Sequence, residues 1–321
     1  MAGILKEKAE LHSRNKHNQR YDFERLMRVC PELGRYVKIN KYNDQSIDFF
    51  NPKAVKTLNK ALLKQFYGID NWDIPNNYLT PPIPGRADYI HYAADLLSSF
   101  NSNKIPHGKK IRCLDIGVGA NCIYPIIGNY EYGWSFVGTD VDSVSLKSAR
   151  RIIESNSSLK GNIELRLQEN ANDIFTRVIK NNEFFDVTIC NPPFHASAAK
   201  AEAVTIRKLS NLKKKTITKA TLNFGGQNSE LWCNGGERRF IKDMILQSKQ
   251  VASSCFWFTT LVSKESNLKS YYGLLEKVSA TEIKTIKMSQ GNKSSRLVAW
   301  TFFSKENKQK WQRELKKRKT N

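Results

Sequence analysis

Asn191-Pro192-Pro193-Phe194 is the stretch of this chain whose residue types could do chemistry. Two successive prolines stiffen the backbone and remove two N–H donors, leaving a cluster rich in acceptors. The Asn191 side-chain oxygen and the Pro192 carbonyl can accept from one amino group, while Phe194 can stack on the ring that bears it. An exocyclic amine of a base is a poor nucleophile because its lone pair is delocalised into the ring. Hydrogen bonds that draw the nitrogen toward tetrahedral geometry and aim it at an electrophile raise its reactivity without a strong base. Alone, the same four residues describe an Asn-Pro turn.

The elements around them favour the chemical reading. Phe184 to Cys190 is rich in aromatic and β-branched residues and predicts a buried strand. The tetrapeptide then sits at a strand's carboxyl end, where open parallel α/β sheets bind their ligands. From Lys109 onward, strand and helix patterns alternate, as in a parallel sheet covered on both faces. The first strand, Ile111 to Ile116, leads into Gly117-Val118-Gly119-Ala120-Asn121. A dinucleotide fingerprint needs a third glycine three positions later, and Cys122 stands there instead. The remaining shape, with Asp115, Gly117 and Gly119 at alternate positions, lets a ligand without phosphate approach the backbone closely.

The second strand, Ser135 to Thr139, ends in Asp140, whose carboxylate is placed to accept from both hydroxyls of a ribose. A helix, Ser143 to Asn156, and a third strand, Ile163 to Leu167, follow. Next, Asn170 to Phe175 sets polar Asp173 beside apolar Ile174, a pairing suited to the edge and face of an adenine ring; Asp173 equally suits a helix cap. Beyond the tetrapeptide runs a basic insertion, His195 to about Asn234, with Lys200, Arg207, Lys208, Lys213, Lys214 and Lys215. A loop of that length and charge beside the clamp is expected to gather nucleic-acid phosphates. A helix from Glu237 to Gln250 and a strand from Cys255 to Val262 continue the alternation. Ile283 to Met288 and Arg296 to Phe303 then predict an antiparallel hairpin that closes the sheet.

Upstream, Leu11 to Arg20 is too polar to suggest core packing and reads as a basic arm. Helical spacing covers Tyr21 to Val29 and Asn51 to Tyr67, and prolines 75, 81, 82 and 84 predict an extended connector from Trp72 to Arg86. Ala87 to Phe100 reads as a further helix. The expected division is a basic arm and helical extension over residues 1–85, the α/β domain over 86–304, and a basic tail, helical or disordered, over 305–321. Lys and Arg outnumber Asp and Glu by 52 to 30, a formal charge of +22, which predicts attraction to a polyanion and nucleic acid first among them. No apolar run approaches the roughly 18 residues of a membrane span, so a soluble, cytoplasmic protein with no membrane partner is expected. Six cysteines show no zinc spacing and the five histidines form no H-x-x-x-H pair, so neither disulfides nor a metal is predicted.

The ordered set of Asp115-Ile116-Gly117-Val118-Gly119, Asp140 and Asn191-Pro192-Pro193-Phe194 resembles the S-adenosylmethionine-dependent class I methyltransferases that modify planar amino nitrogens. With Pro84-Gly85-Arg86-Ala87-Asp88-Tyr89-Ile90-His91, Leu222-Asn223-Phe224-Gly225-Gly226-Gln227 and Gly235-Gly236-Glu237, the chain is further similar, over nearly its whole length, to the bacterial large-subunit ribosomal RNA adenine-N6-methyltransferase F family. It is more distantly similar to the eukaryotic methyltransferase that makes N6-methyladenosine in U6 small nuclear RNA. The resemblance implies a Rossmann-like fold with a mostly parallel seven-stranded sheet, and N6 methylation of one adenine in 23S rRNA, free or in an assembly intermediate, by a monomer. It implies S-adenosylmethionine as donor, with Gly117 and Gly119 along the methionine moiety, Asp140 on the ribose, Arg86 on the donor's carboxylate, and Asn191 to Phe194 on the target base. Asp115, Asn121 and Asp173 complete the donor-binding set, and Asp142 remains a second candidate for the ribose. The same clamp serves methyltransferases of guanine N2 and of a glutamine amide; the basic charge disfavours the amide, and only the resemblance separates adenine from guanine. A non-catalytic RNA-binding assembly factor is the alternative from another class.

Overall fold

The computed structural model of the chain describes residues 11–76, 78–193, 232–290 and 293–320. The N-terminal part contains helix α1 (Phe23–Val29), a short antiparallel pair of strands, β1 (Val37–Ile39) and β2 (Gln45–Ile47), and helix α2 (Pro52–Tyr67). Asn51 caps α2 by accepting from the Lys53 and Ala54 amides, and Pro52 fills the first turn, where a missing N–H costs nothing. Helix α3 (Ile83–Ser98) begins earlier than the run of prolines suggests. Pro84 lies in its first turn, so Arg86 projects from a helix rather than from a connector.

The alternating region forms one sheet. Its strands are β3 (Arg112–Ile116), β4 (Ser135–Asp140), β5 (Ile163–Leu167), β6 (Phe185–Cys190), β7 (Cys255–Val262), β8 (Glu282–Gln290) and β9 (Lys293–Thr301). Their order across the sheet is β5-β4-β3-β6-β7-β9-β8, parallel from β5 to β7 and closed by β9, which runs antiparallel to both β7 and β8. Helices α4 (Ile123–Tyr132) and α5 (Ser143–Glu154) pack on one face with α3, and α6 (Gly236–Ser248) and α7 (Leu268–Lys277) on the other. Strand β3 shows the sorting: Cys113 joins the first core and Leu114 and Ile116 the second, as a two-residue period demands.

One segment departs from its compositional reading, and the tail takes the helical of its two expected forms. Leu11 to Arg20, too polar to suggest packing, buries His12, Asn15 and His17. It does so by hydrogen bonding: the His12 amide and the Asn15 side chain donate to Asp88 (3.0 and 2.5 Å), Arg14 pairs with Asp95 at 2.6 Å, and His17 meets the Tyr67 hydroxyl at 2.9 Å. Polar side chains enter an interior when each finds a partner, a condition that residue type alone does not reveal. The tail forms helix α8 (Lys305–Thr320), anchored by Trp311, which is 4 % exposed, stacks on Phe256 with centroids 4.2 Å apart, and donates to Asp186 of β6 at 2.7 Å. Replacing Trp311 with Ala should cost about 3–5 kcal/mol of stability in chemical unfolding, whereas Phe, which keeps a ring against Phe256, should cost less than half as much.

Candidate active site

Strand order reverses at β3, which lies between β4 and β6, and a crevice opens beyond the carboxyl ends of these strands. Its empty space, about 940 Å³, includes open solvent at its mouth. Its floor is the turn after β3. Gly117 and Gly119 adopt φ of 77° and 64°, a conformation that β-carbons disfavour. The amides of Gly117 and Val118 both donate to the Thr139 carbonyl, at 2.9 and 2.8 Å, and the Gly119 amide donates to Asp140 Oδ2 at 2.9 Å. These N–H groups are therefore committed to β4 rather than aimed at a phosphate, which matches the missing third glycine.

Asp140 lines the crevice and also accepts from the Asp142 amide at 2.9 Å through Oδ1. Burial raises its pKa, against the pull of these backbone donors. Asp142 is spent differently. Its carboxylate caps α5 through the Val144 and Ser145 amides and accepts from the Tyr78 hydroxyl at 2.7 Å, and it does not line the crevice. Although burial works the other way, these donors hold its pKa below the ordinary carboxylate value.

Arg86, Gly117, Gly119, Asn121, Asp140, Asp173, Asn191 and Pro193 all lie on the wall, while Asp115 and Pro192 are buried behind it. Arg86 donates to the Tyr124 hydroxyl at 2.9 Å, and no carboxylate pairs with it among the described residues. The Asn191 Oδ1 is buried at the mouth of β6 with no hydrogen-bond partner among the described residues. An unpartnered acceptor facing a cleft is a cost to the fold that a ligand's N–H would remove. Phe194, Lys200, Arg207, Lys208 and the run Lys213 to Lys215 lie outside the described residues.

Asp115 is 0 % exposed and neither carboxylate oxygen has a partner among the described residues. Burial, and then the charge of Asp140, push its pKa well up, with Arg86 pulling the other way. A raised folded pKa contributes stability that is full below the unfolded value of 3.8 and is lost as pH rises through the folded value. Asp115→Asn should therefore melt like the parent in acid and increasingly above it as pH rises from the unfolded value of 3.8 toward the folded one, read in a pH series of thermal melts.

The structure adds residues at and behind the wall that the sequence reading passed over. Gln247 of α6 accepts from the Ile174 amide and donates to the Asn172 carbonyl, both at 2.7 Å, and so fixes the turn that carries Asp173; Phe240 of the same helix lines the crevice. Tyr89 of α3 is fully buried beneath the clamp. Its hydroxyl accepts from the Cys190 amide at 3.0 Å and lies 2.8 Å from the Thr259 hydroxyl, which donates to the Thr188 carbonyl. Strand pairing between β6 and β7 runs from Phe185↔Cys255 only to Val187↔Trp257. Hydroxyl groups thus replace the ladder over the last residues before Asn191 and fix where the clamp leaves the sheet. A polar residue at an apolar position of α3 was the available signal. Among the described residues no group of three His, Cys, Asp or Glu is placed to hold a metal.

A family model described as RNA methyltransferase matches residues 5–304. The chain is 62% identical over 304 residues to the ribosomal RNA large subunit methyltransferase F of Cytophaga hutchinsonii, an alignment covering 95% of this chain and 94% of that protein. Among solved structures it is similar to the catalytic domain of human METTL16 in complex with a MAT2A 3′UTR hairpin, with a TM-score of 0.77 and 27% identity over 92% of this chain and 96% of that one. The N-terminal domain of human METTL16 in complex with SAH is likewise similar, at 27% identity and a TM-score of 0.72 over 92% of this chain and all of that one (100%).

Proposed function

This chain belongs to the large-subunit ribosomal RNA methyltransferase F family, and from that premise we propose that it methylates N6 of one adenine in 23S rRNA. It is an S-adenosylmethionine-dependent RNA methyltransferase acting on large-subunit ribosomal RNA. The observation that carries the finer reading is the buried Asn191 Oδ1 at the carboxyl end of β6, without a partner among the described residues, in the crevice that Asp140 also lines.

The donor supplies an electrophilic methyl group on a sulfonium and departs as SAH. Around it, Asp140 accepts from the ribose hydroxyls, Arg86 offers its guanidinium to the carboxylate, and the turn at Gly117 and Gly119 lets the methionine portion lie against backbone. Asn121 lies beside that turn, and Asp173 and Ile174, fixed by Gln247, take the edge and face of the donor's adenine. Asp115, behind this wall, regains its charge more readily once cationic groups are bound nearby. At the other end, Asn191 Oδ1 and the Pro192 carbonyl accept the two N6–H bonds of the target base, with Phe194 as the stacking surface by the sequence reading. This holds the nitrogen lone pair toward the methyl carbon; the new N–CH₃ bond forms as the S–CH₃ bond breaks, and an N6 proton leaves to solvent. Extruding the base costs a few kcal/mol, least for an unpaired one. Positioning supplies most of the rate, since the electrophile is already activated.

Tyr89→Phe tests the positioning of the clamp. It keeps the ring but leaves the Cys190 amide without its acceptor, so we expect a stability loss of about 1–3 kcal/mol and a fall in kcat of about tenfold or more, with donor affinity unchanged by calorimetry. The partner is 23S rRNA or a large-subunit assembly intermediate, and the enzyme acts as a cytoplasmic monomer. No helix among the described residues is long and apolar enough to cross a membrane.

Nucleoside mass spectrometry of unmodified 23S rRNA and of precursor particles, after incubation with the protein and S-adenosylmethionine, tests the reading. N6-methyladenosine is the expected product, absent with Asn191→Ala. N2-methylguanosine would overturn the choice of base, and no methylated product from either substrate would overturn the catalytic reading.

A further inference from the structure

On the flank of α6 opposite the crevice lies a groove shared with α7. It is lined by Arg238, Arg239 and Lys242 from α6 and by Lys277 from α7, with Ser270 and Gly273 between them, and no carboxylate is among its lining residues. All four cations are exposed. Arg239 makes a long contact with Asp243, 3.6 Å, one turn further along the helix. Its aliphatic stem lies over Gly235, where a Cβ would come within 2.6 Å of Arg239 Cβ, so the backbone itself sets the direction in which this side chain leaves. A Cβ at Gly273 would meet nothing within 4 Å, which leaves the groove floor open along α7.

The groove is tied to the active site by topology. Helices α6 and α7 flank the parallel strand β7 in the chain, so their N-terminal ends stand at the sheet edge where Asn191 emerges; Arg238 and Arg239 are in the first turn of α6 at that edge, and Lys277 ends α7 farther from it. One rigid element serves both sites: Phe240 faces the crevice, and Arg238 and Lys242, two residues to either side, project from the opposite face of the same helix. The helix is pinned at its start by the buried Glu237, whose carboxylate accepts from the Ser263 amide at 3.1 Å and from its hydroxyl. The two surfaces are therefore about one helix diameter, roughly 10–12 Å, apart. A small anion would need converging donors; cations spread along two helices instead suit a chain of phosphates.

We propose that the α6/α7 groove binds the sugar-phosphate backbone of the RNA strand flanking the target nucleotide, through Arg238, Arg239, Lys242 and Lys277. This rests on the RNA substrate proposed above. It makes the groove a source of affinity and register and leaves base choice to the clamp.

The test is filter binding of unmodified 23S rRNA to the full chain across a salt series, comparing the parent with the variant Arg238→Gln, Arg239→Gln, Lys242→Gln, Lys277→Gln. Neutralising these contacts should reduce the slope of log affinity against log salt by about 2–3, lower affinity tenfold or more at low salt, and raise KM for RNA with kcat nearly unchanged. Donor affinity by calorimetry and the melting temperature should stay at parental values, and exchanging Arg for Lys and Lys for Arg at the four positions should restore the slope. An unchanged slope in a folded, donor-binding variant would overturn the proposal and leave the four side chains as a solvated face. A parent that binds rRNA with the expected slope yet yields no methylated nucleoside would sink the catalytic reading alone, because the binding comparison stands without it.

Discussion

Asn191→Ala is expected to lower methyl transfer by about 10²–10³-fold or more, the range for losing a preorganised hydrogen-bonding group that acts on the reacting atom. Its donor affinity should remain within about twofold, since the side chain acts on the target base. The fold should not suffer. The Asn191 oxygen is buried and has no partner among the described residues, so its removal takes away a cost, and the melting temperature should hold or rise slightly. Single-turnover kinetics with donor calorimetry on the same preparation separate these effects. Asn191→Asp, which keeps acceptors at the same place, should retain more activity than Ala. A loss of donor binding that matched the loss of rate would assign Asn191 to the donor instead and undo the clamp.

The second large effect is at Asp140. Asp140→Ala removes the acceptor proposed for the ribose and also releases the Gly119 and Asp142 amides, so two charge-assisted hydrogen bonds go with it. Donor affinity should fall by about 10²-fold or more, at roughly 1.5–3 kcal/mol for each hydrogen bond to a charged group. Asp142→Ala is the control. It removes the α5 cap and should cost about 0.5–2 kcal/mol of stability with little change in donor affinity. The pH dependence has a definite sign: burial raises the Asp140 pKa, so as pH falls the carboxylate is protonated earlier than a free aspartate and donor affinity weakens from that higher pH downward. Equal loss of donor affinity in both alanine variants would show that the geometry of the β4 turn, and not the Asp140 carboxylate itself, is what the donor requires.

The positions of Asn191, the glycine turn and Asp140 at strand ends lining one crevice were legible in the sequence because each is fixed by its immediate neighbours. A strand is betrayed by its apolar period, a positive φ by glycine, and a ligand-binding end by the turn that follows. Helical boundaries were less exact where proline enters a first turn, as at Pro84, because proline is compatible with both a connector and a helix start.

The choice between Asp140 and Asp142 needed three dimensions. Both are acids at the end of one strand and both accept backbone amides; only the fold reveals that Asp140 lines the crevice, while Asp142 does not and is held by the Tyr78 hydroxyl and the α5 amides. Tyr89 and Gln247 were invisible as site residues for the same reason. The Cys190 amide and the Tyr89 hydroxyl are 101 positions apart in the chain, and Gln247 is 73 from the amide it holds. The polar segment from Leu11 to Arg20 likewise becomes interior only because α3 presents Asp88 and Asp95 to it. By itself, the sequence determined the order of strands and helices, the strand ends that open on the crevice, and which residue types stand there, all consequences of local backbone preference and hydrophobic period. Tertiary structure alone decided which polar groups are free to meet a ligand, because a donor or acceptor is spent or available only according to what packing brings within about 3 Å of it.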